Sequence, residues 1–379
     1  MAATEIQLDL PVDMHVHVRQ PPMSSLIVPH LALGGIQTAY IMPNTIPPIS
    51  NVSQCVEYLD QLESLLPPSS DVELIGTLYL SPTLTPAEVQ RAAAVRHPKT
   101  GRLRIGGVKS YPRGVTTNSD GGIESYDVYD EVFAEMERQG LVLNLHGEVP
   151  SDEEKNITVL NAEASFLQHL HKLHAKFPKL RIVLEHATTA AAVEAVKQCG
   201  DTVGCSITPH HLQLIVDDWA GKPVNFCKPV AKTWDDRKAL RDVIRSGHPR
   251  FFLGSDSAPH PFASKMPSAA SHGDVQTAAS CGCAAGVYTS PILIPLCATL
   301  LESFGALDRL EAYVSTNARS FYRLPVSQGS AKRILRREQT TVPSSFTLDA
   351  HKDKDDWARD KAQVVPFWAG KELPWKIIS

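Results

Sequence analysis

Residues 13–19 read DMHVHVR, and the interpretation of the whole chain begins from this short stretch. If the stretch is a strand, His15 and His17 face the same side, because side chains two residues apart share a face. Seven more runs of this kind follow, each apolar at its start and polar or reactive at its end. They cover 38–44, 73–81, 105–112, 141–148, 181–188, 203–211 and 251–260. Nearly continuous apolar runs rich in branched residues are typical of buried parallel strands.

Stretches with helical periodicity separate most of these runs. They cover 53–66, 86–96, 125–139, 161–177, 189–199 and 234–246. Hydroxyl side chains that can cap a first helical turn stand at Ser53, Thr85, Thr189 and Thr233. Strands alternating with helices in this way predict an α/β fold, a TIM (β/α)8 barrel. The alternative is a doubly wound open sheet, which is disfavoured because no G-x-G-x-x-G turn follows the first strand.

The last part of the chain differs in character from the rest. Helical stretches at 287–305 and 307–322 complete the predicted barrel, which we assign to residues 1–324. Residues 325–379 are charged and weakly periodic before the chain ends in VVPFWAGKELPWKIIS. We therefore expect 325–379 to be a C-terminal extension that packs on the barrel, and not a separate domain.

Composition limits the classes of partner. Of 379 residues, 43% are hydrophobic and 21% charged, and the formal net charge is −4. No long basic run is present, so neither nucleic acid nor an anionic membrane is favoured as a partner. The N-terminus lacks the pattern of a secretory signal, and no run approaches the ~20 apolar residues that span a bilayer. The seven cysteines are scattered and suggest no disulfide framework. We expect a cytoplasmic protein.

Reactive residues cluster at the ends of the predicted strands, where TIM barrels carry their active sites. The candidate metal ligands at this rim are His15, His17, Lys109, His146, His186 and Asp256. Imidazole nitrogens suit zinc and similar divalent ions. Any one of these histidines alone would be read as a packed or surface residue. Their joint placement on one rim instead indicates a metal centre.

The remaining histidines are interpreted as structural or left open. We expect the side chains of His169, His171 and His174 to lie on the solvated face of a helix. The same surface or packing interpretation applies to His30, His97, His248, His272 and His351. His210 and His211 end the seventh strand, and both interpretations stay open for them.

Lys109 is the unusual member of the candidate ligand set. As an ammonium it would be repelled by neighbouring metal ions, whereas a neutral amine can add CO2 to give a carbamate. A carbamate has two oxygens and can bridge two cations. A surface lysine paired with a carboxylate is the alternative, and it would be preferred if Lys109 stood alone.

These residues stand in motifs that together resemble one known family. The motifs are MHVHVR (14–19), PN (43–44), GVKSYP (107–112), TTNS (116–119), LNLHGE (143–148), EHATT (185–189), ITPHH (207–211), GSDSAPH (254–260) and CGCAAG (281–286). In this order they resemble the monofunctional (class II type) dihydroorotases of the amidohydrolase superfamily, from about residue 10 to 323. The multifunctional animal type and the hydantoinases are less similar. The resemblance implies a hydrolase of cyclic amides that reversibly cyclises N-carbamoyl-L-aspartate to L-dihydroorotate in de novo pyrimidine biosynthesis.

The resemblance also implies a dinuclear metal centre. One divalent ion, expected to be Zn2+, would be held by His15, His17 and Asp256, and a second by His146 and His186. Lys109, N-carboxylated by CO2, and a hydroxide would bridge them. Asp256 would also move the proton during catalysis.

The substrate-binding residues follow from the same resemblance. The α-carboxylate would be bound by Arg19, Asn44 and His260. The edge of the pyrimidine ring would be held by the backbone at Lys228 and Ala284. Thr116 and Thr117 would lie on a mobile loop over the site. The composition of 115–122, VTTNSDGG, also favours a mobile loop, and we expect Gly121 and Gly122 to be its hinge. The family further suggests a homodimer.

Two features depart from the family pattern, and two other functions remain as alternatives. Lys228 stands where many relatives carry an apolar residue, and 261–280 is longer than in bacterial members, which leaves the placement of Ala284 open. One alternative is another cyclic amidase, such as a hydantoinase or allantoinase; Arg19, Asn44 and His260 argue against it because they suit an anionic substrate. The other is a non-catalytic barrel kept as an assembly scaffold, against which the intact ligand set argues.

Overall fold

A parallel eight-stranded barrel forms the centre of the protein. The computed structural model describes residues 4–119, 121–266, 283–325, 332–347 and 363–378. After β1 (Glu5–Leu8), which lies outside the barrel, the barrel strands are β2 (Val12–Val16), β3 (Thr38–Ile41), β4 (Glu73–Tyr79), β5 (Ile105–Ser110), β6 (Val142–His146), β7 (Arg181–Glu185), β8 (Val203–Ile207) and β9 (Phe251–Leu253). Each strand pairs in parallel with the next along the chain. All eight predicted strands and the predicted TIM barrel are confirmed.

The first and last strands close the barrel through backbone contacts at their carboxyl ends. The Asp256 N–H donates to the His15 carbonyl at 2.8 Å, and the His17 N–H donates to the Ser257 carbonyl at 3.0 Å. Val16 and Ser257 form the corresponding parallel bridge. Closure therefore brings candidate ligands from the two ends of the barrel sequence side by side.

Helices between the strands form the outer layer. They are α1 (Met23–Leu33), α2 (Val52–Glu63), α3 (Pro86–Ala94), α4 (Asp130–Gln139), α5 (Ala162–Lys176), α6 (Ala190–Gln198), α7 (Val216–Trp219), α8 (Trp234–Arg245), α9 (Phe262–Lys265), α10 (Leu293–Ser303) and α11 (Asn317–Tyr322). The predicted stretch 307–322 is divided, since a 3-10 turn (Leu307–Arg309) and a π-helical turn (Ala312–Thr316) precede α11.

Side-chain caps begin several of these helices. Thr85, Thr189 and Thr233 cap α3, α6 and α8 as predicted. The prediction for Ser53 is wrong. Asn51 caps α2 instead, because its side-chain oxygen accepts from the Gln54 N–H at 3.0 Å while Ser53 already lies inside the helix.

Strand periodicity separates the apolar core from the site. Along β6, Val142 and His146 share one face, while Leu145 lies on the other. Leu145 belongs to the large apolar cluster shared by strands and helices, and Val142 belongs to a separate apolar cluster. The face that is apolar at Val142 therefore becomes polar at His146, at the carboxyl end of the strand.

The N-terminal strand and the C-terminal segment form a small antiparallel sheet that the sequence did not predict. In this sheet β10 (Arg333–Thr341) pairs with both β1 and β13 (Glu372–Ile377). A second pair joins β11 (Phe346–Thr347) to β12 (Gln363–Val364). Trp375 in β13 is 0% exposed and donates from Nε1 to Glu302 of α10 at 3.1 Å. The described parts of 332–378 therefore pack on the helices of the barrel.

Several expectations concern membrane spans, thiols or segments outside the described residues. Within the described ranges, no helix combines the length and apolar character needed to cross a membrane. The thiols of Cys55, Cys199, Cys205, Cys227, Cys283 and Cys297 are free. Cys281, His272, His351 and most of the 261–280 stretch lie outside the described residues, so the expectations placed on them stay predictions.

Candidate active site

The predicted rim residues meet in one buried cavity at the carboxyl ends of the strands. His15 lies in β2, Lys109 in β5 and His146 at the end of β6. His186 directly follows β7, and Asp256 lies in the loop just after β9. The walls of the cavity include His15, His17, Arg19, Asn44, Thr116, Thr117, His146, His186, Lys228 and Asp256. Lys109 is 0% exposed beside Tyr111, another wall residue, with its Nζ 5.1 Å from the ring centre. Sequence positions far apart are thus joined in one site.

Two histidines and a carboxylate converge at one side of the cavity. The Nε2 atoms of His15 and His17 are 3.3 Å apart, and Asp256 Oδ1 lies 3.4 Å and 3.1 Å from them, respectively. Burial is the main reason why the pKa values of both imidazoles are lowered, so the neutral, ligating form is favoured. Two nitrogens and one oxygen facing one point suit a divalent cation.

The other side of the cavity holds buried nitrogens without protein partners. The rings of His146 and His186 are 4.8 Å apart between centroids. Neither His186 Nδ1 nor Lys109 Nζ has a hydrogen-bond partner among the described residues, although both atoms are buried. Burial lowers the pKa of Lys109 to about 8, which makes its neutral amine accessible. Unpartnered buried polar atoms of this kind are costly unless a further group binds them.

Backbone geometry aims two of these side chains. His186 and Asp256 both have left-handed backbone conformations, with φ of 42° and 44°. The His186 N–H is fixed by Ser206 Oγ at 2.8 Å, and the Asp256 N–H by the barrel closure described above. Such strained conformations outside glycine cluster at functional sites.

Carboxylates behind the ligands were missed by the sequence analysis. Glu185 Oε2 lies 2.9 Å from His15 Nδ1, and Glu148 Oε2 lies 2.9 Å from His146 Nε2. Glu185 also accepts from Ser206 Oγ and Asn144 Nδ2. A signal was present in the sequence, since each glutamate stands within two residues of a candidate ligand in a buried strand or just after one.

A cationic and polar wall lies above the metal-ligand cluster. Arg19 donates from Nε to the Pro259 carbonyl at 2.9 Å, and its Nη2 lies 3.0 Å from His260 Nε2. Burial and the Arg19 charge hold the pKa of His260 far below its usual value. Neutral His260 can therefore accept from Arg19, or donate to the Ala285 carbonyl 2.9 Å away.

The predicted loop contacts this wall through Asn44. Asn44 Nδ2 donates to the Thr117 carbonyl at 3.1 Å, and Asn118 Nδ2 donates to the Asn44 carbonyl at 3.0 Å. Thr116 and Thr117 both line the cavity. Gly122 lies so close to the preceding turn that an added Cβ would be 2.4 Å from the Tyr111 carbonyl oxygen. Mobility of the loop and the Gly121–Gly122 hinge stay predictions.

Lys228 and Ala284 occupy different places relative to the cavity. Lys228 lines it, together with Ala285 and Gly286. Ala284 lies in the wall of an adjoining cavity of ≈ 600 Å³, which Lys228 also lines. The Ala284 N–H donates to the Ser264 carbonyl at 3.0 Å. Ala284 thus precedes Ala285, the first residue of this segment that lines the metal-ligand cavity.

The sequence left the role of His210 and His211 open. Both are buried beside Cys227. His211 Nδ1 lies 2.8 Å from Thr208 Oγ1, and Nε2 lies 3.0 Å from the Pro229 carbonyl, so both of its nitrogens have partners. Neither ring nitrogen of His210 has a hydrogen-bond partner among the described residues. His211 is therefore a satisfied core histidine.

Of the helix α5 histidines, His171 is exposed, whereas His169 and His174 are half-buried.

Comparisons with known proteins identify the family. No family model matches the chain. The chain is 58% identical to the dihydroorotase of Mycosarcoma maydis, and the alignment covers 100% of both proteins. The chain belongs to the dihydroorotase family. Dihydroorotases are metal-dependent hydrolases of cyclic amides in the amidohydrolase superfamily, and the resemblance found in the motifs is confirmed.

Solved structures agree with this dihydroorotase assignment. The dihydroorotase of Saccharomyces cerevisiae, crystallised in complex with 5-fluoroorotic acid, is 39% identical, with a TM-score of 0.86 and 99% of both chains covered. The L-hydantoinase of Arthrobacter aurescens has a TM-score of 0.74 at 18% identity, covering 99% of this chain and 83% of its own. The second likeness shows the shared fold alone.

Proposed function

We propose that this dihydroorotase reversibly cyclises N-carbamoyl-L-aspartate to L-dihydroorotate, as a step of pyrimidine biosynthesis. The observation that carries the proposal is the convergence of the His15, His17 and Asp256 ligand atoms beneath Arg19 in one buried cavity. The ligand cluster suits amide hydrolysis, and the guanidinium suits a carboxylate. A hydantoin or allantoin carries no such carboxylate, so Arg19 favours an anionic substrate.

The residues present fit two divalent ions, which we assign as Zn2+. His15, His17 and Asp256 would hold one, and His146 and His186 the other. Lys109, carboxylated by CO2 on its amine, would bridge them. The unpartnered Lys109 Nζ and His186 Nδ1 support this assignment, because each needs a partner that the described protein groups do not provide. When bound, two such ions lower the pKa of a water between them and polarise an amide carbonyl.

Asp256 is the group that we assign to proton transfer. Burial alone would raise its pKa, but the hydrogen bond from His17 is the largest of the effects that oppose burial, and together they hold it at about 2. The group is therefore a carboxylate that can accept a proton. In hydrolysis it takes the proton of the attacking water and passes it to the ring nitrogen as the C–N bond breaks. Cyclisation reverses these steps and releases water.

Recognition of the substrate is assigned to the wall above the ligands. Arg19, Asn44 and His260 would bind the α-carboxylate, and the backbone near Lys228 and Ala284 would hold the ring edge. Thr116 and Thr117 would close over the substrate and exclude water. The contact of the Asn44 amide with the Thr117 carbonyl supports closure, because it joins the loop to a predicted carboxylate-binding residue.

The proposal also covers the domain boundaries, the cellular location and the oligomeric state. We assign residues 1–324 to the catalytic barrel and 325–379 to an extension of it. The pairing of β1 with β10 supports treating both parts as one domain. A cytoplasmic homodimer that binds neither nucleic acid nor membrane is the state that we propose for the enzyme.

Turnover and metal content, measured on the same preparation, test the proposed function. The purified enzyme should turn over L-dihydroorotate and contain close to two metal ions per chain. Asp256→Asn should lower turnover by ~10²–10⁴-fold, the usual contribution of a general acid–base group. Turnover of hydantoin but not of dihydroorotate would favour the other cyclic amidases. A metal-free, inactive protein would favour the scaffold.

A further inference from the structure

Lys265, the last residue of α9, has a buried ammonium that the proposed mechanism does not use. The residue is 7% exposed, and its Nζ donates to three backbone carbonyls. These belong to Phe226, Ala284 and Gly286, at 2.8 Å, 3.0 Å and 2.8 Å. An ammonium has three N–H donors, so all of its hydrogen-bonding capacity is directed at the backbone.

The three carbonyls come from two segments that form one wall of the site. The Gly286 N–H donates to the Phe226 carbonyl at 2.9 Å, which joins the two segments directly. Lys228 follows Phe226 closely in sequence, and it lines the metal-ligand cavity together with Ala285 and Gly286. Lys265 therefore joins both segments of this wall, although it is not itself among the residues that line the metal-ligand cavity.

The carbonyls of 284–286 alternate between two partners. Those of Ala284 and Gly286 accept from Lys265, whereas that of Ala285 lies 2.9 Å from His260 Nε2. His260 in turn lies 3.0 Å from Arg19 Nη2. The Ala285 carbonyl therefore lies between two carbonyls that the Lys265 ammonium holds. The ammonium is thus linked to His260, one of the predicted carboxylate-binding residues, through the Ala285 peptide.

We propose that Lys265 is a positioning residue for substrate binding. It holds the backbone segments around Phe226 and 284–286, and with them the Ala285 carbonyl beside His260, in the arrangement that receives an anionic cyclic amide. This inference rests on the proposed function, because the substrate is the one named there. Lys265 contacts none of the assigned metal ligands, so its loss should affect substrate binding and not metal content.

The test is the variant Lys265→Met, which keeps an unbranched side chain one atom shorter and removes its donors. On the holoenzyme we expect the KM for dihydroorotate to rise at least about 10-fold, the size of effect expected when a hydrogen bond to a charged group is weakened. The kcat should change much less than KM, and the metal content should stay at the wild-type value.

Arg250→Met is the matched control. Arg250 also binds backbone carbonyls, those of Val196, Gly200 and Val203, but it precedes β9 and so lies at the opposite end of the barrel. This variant should lower the thermal midpoint and leave KM unchanged. A Lys265→Met enzyme that loses stability but keeps the wild-type KM would overturn the inference, because it would behave as the control does.

A second variant decides the question if Lys265→Met does not fold. Lys265→Gln keeps two N–H donors on a shorter side chain, so its KM should be raised, and by less than in any folded Lys265→Met. A Lys265→Gln enzyme with the wild-type KM would overturn the positioning role alone. A wild-type holoenzyme without turnover of dihydroorotate would instead overturn the proposed function, and this inference with it.

Discussion

His15 Nδ1 lies 2.9 Å from Glu185 Oε2, and neither side chain is more than 1% exposed. A carboxylate at this distance accepts a hydrogen bond from Nδ1–H and so keeps the proton on Nδ1. Nε2 then carries no proton and can bind a cation. The same Nε2 faces His17 and Asp256. Glu185 thus selects the tautomer of His15, although it does not itself reach the cavity.

Glu185→Gln should weaken metal binding without removing a ligand. The amide carries no charge and can turn an N–H toward Nδ1, so we expect metal affinity to fall by about 10–100-fold. Competition with a chelator measures this change. Glu135→Gln is the control, because the Glu135 side chain is also 1% exposed but pairs with Arg138 on α4. Equal chelator sensitivity of the two variants would show that Glu185 has no influence on the metal.

The assigned histidine ligands should lose metal and activity together. His15→Ala, His17→Ala, His146→Ala and His186→Ala each remove a donor atom from the site. We expect substoichiometric metal and a fall in turnover of more than about 100-fold, the upper range for losing an outer partner of a ligand. Metal analysis and turnover are measured on each variant. The exposed His171 provides the control His171→Ala, and a ligand variant with full metal and normal turnover would refute its assignment.

The barrel could be predicted because its strands carry local patterns. Each apolar run has reactive residues at its end, and closure of the sheet then brings these ends together. The antiparallel sheet of β1, β10 and β13 lacks such a pattern, since the burial of β10 is mostly partial or low along its length. Its pairing depends on contacts between chain ends more than 300 residues apart, as in Glu5 opposite Arg336.

In the site, the candidate metal ligands could be predicted from the sequence, whereas the residues that hold them and the cavity wall in place could not. His15 and Asp256 could be recognised by residue type and position in a strand. The partnership of Glu185 with His15 joins β7 to β2 across the barrel, and nothing local to either strand indicates it. The same holds for Lys265, whose three partners lie 39, 19 and 21 residues away.

Arg19→Lys should chiefly weaken substrate binding. The guanidinium donates to the Pro259 carbonyl and contacts His260, and a lysine ammonium cannot keep both contacts while presenting two parallel donors to a carboxylate. Hydrogen bonds to charged groups contribute about 1.5–3 kcal/mol, so KM for carbamoyl aspartate should rise roughly 10- to 150-fold. Steady-state kinetics measure the change. Arg91→Lys on the exposed face of α3 is the control, and an unchanged KM for Arg19→Lys would exclude carboxylate recognition by Arg19.

Lys109→Ala tests the bridging carbamate. The variant should lose metal, and bicarbonate should not restore it, because the amine that adds CO2 is gone. A short carboxylic acid that fills the gap should restore part of the activity. In the wild type, carbon NMR with labelled bicarbonate should show a carbamate resonance that Lys109→Ala lacks and the exposed-site control Lys197→Ala retains. A free amine at Lys109 in the metal-loaded enzyme would overturn the bridge.

The double variant Thr116→Ala with Thr117→Ala tests the loop above the site. Both threonines line the cavity, and the loop is joined to the wall through Asn44 and Thr117. If the hydroxyls donate to substrate or to charge that develops in the transition state, turnover should fall about 10²-fold, as when such donors are removed elsewhere. Metal content and fold should stay unchanged, because no ligand is altered. Ser81→Ala with Thr83→Ala is the matched control, since these hydroxyls lie 2.9 Å apart in the exposed connection after β4. Normal turnover and normal KM in the Thr116/Thr117 variant would show that the loop only connects β5 to α4.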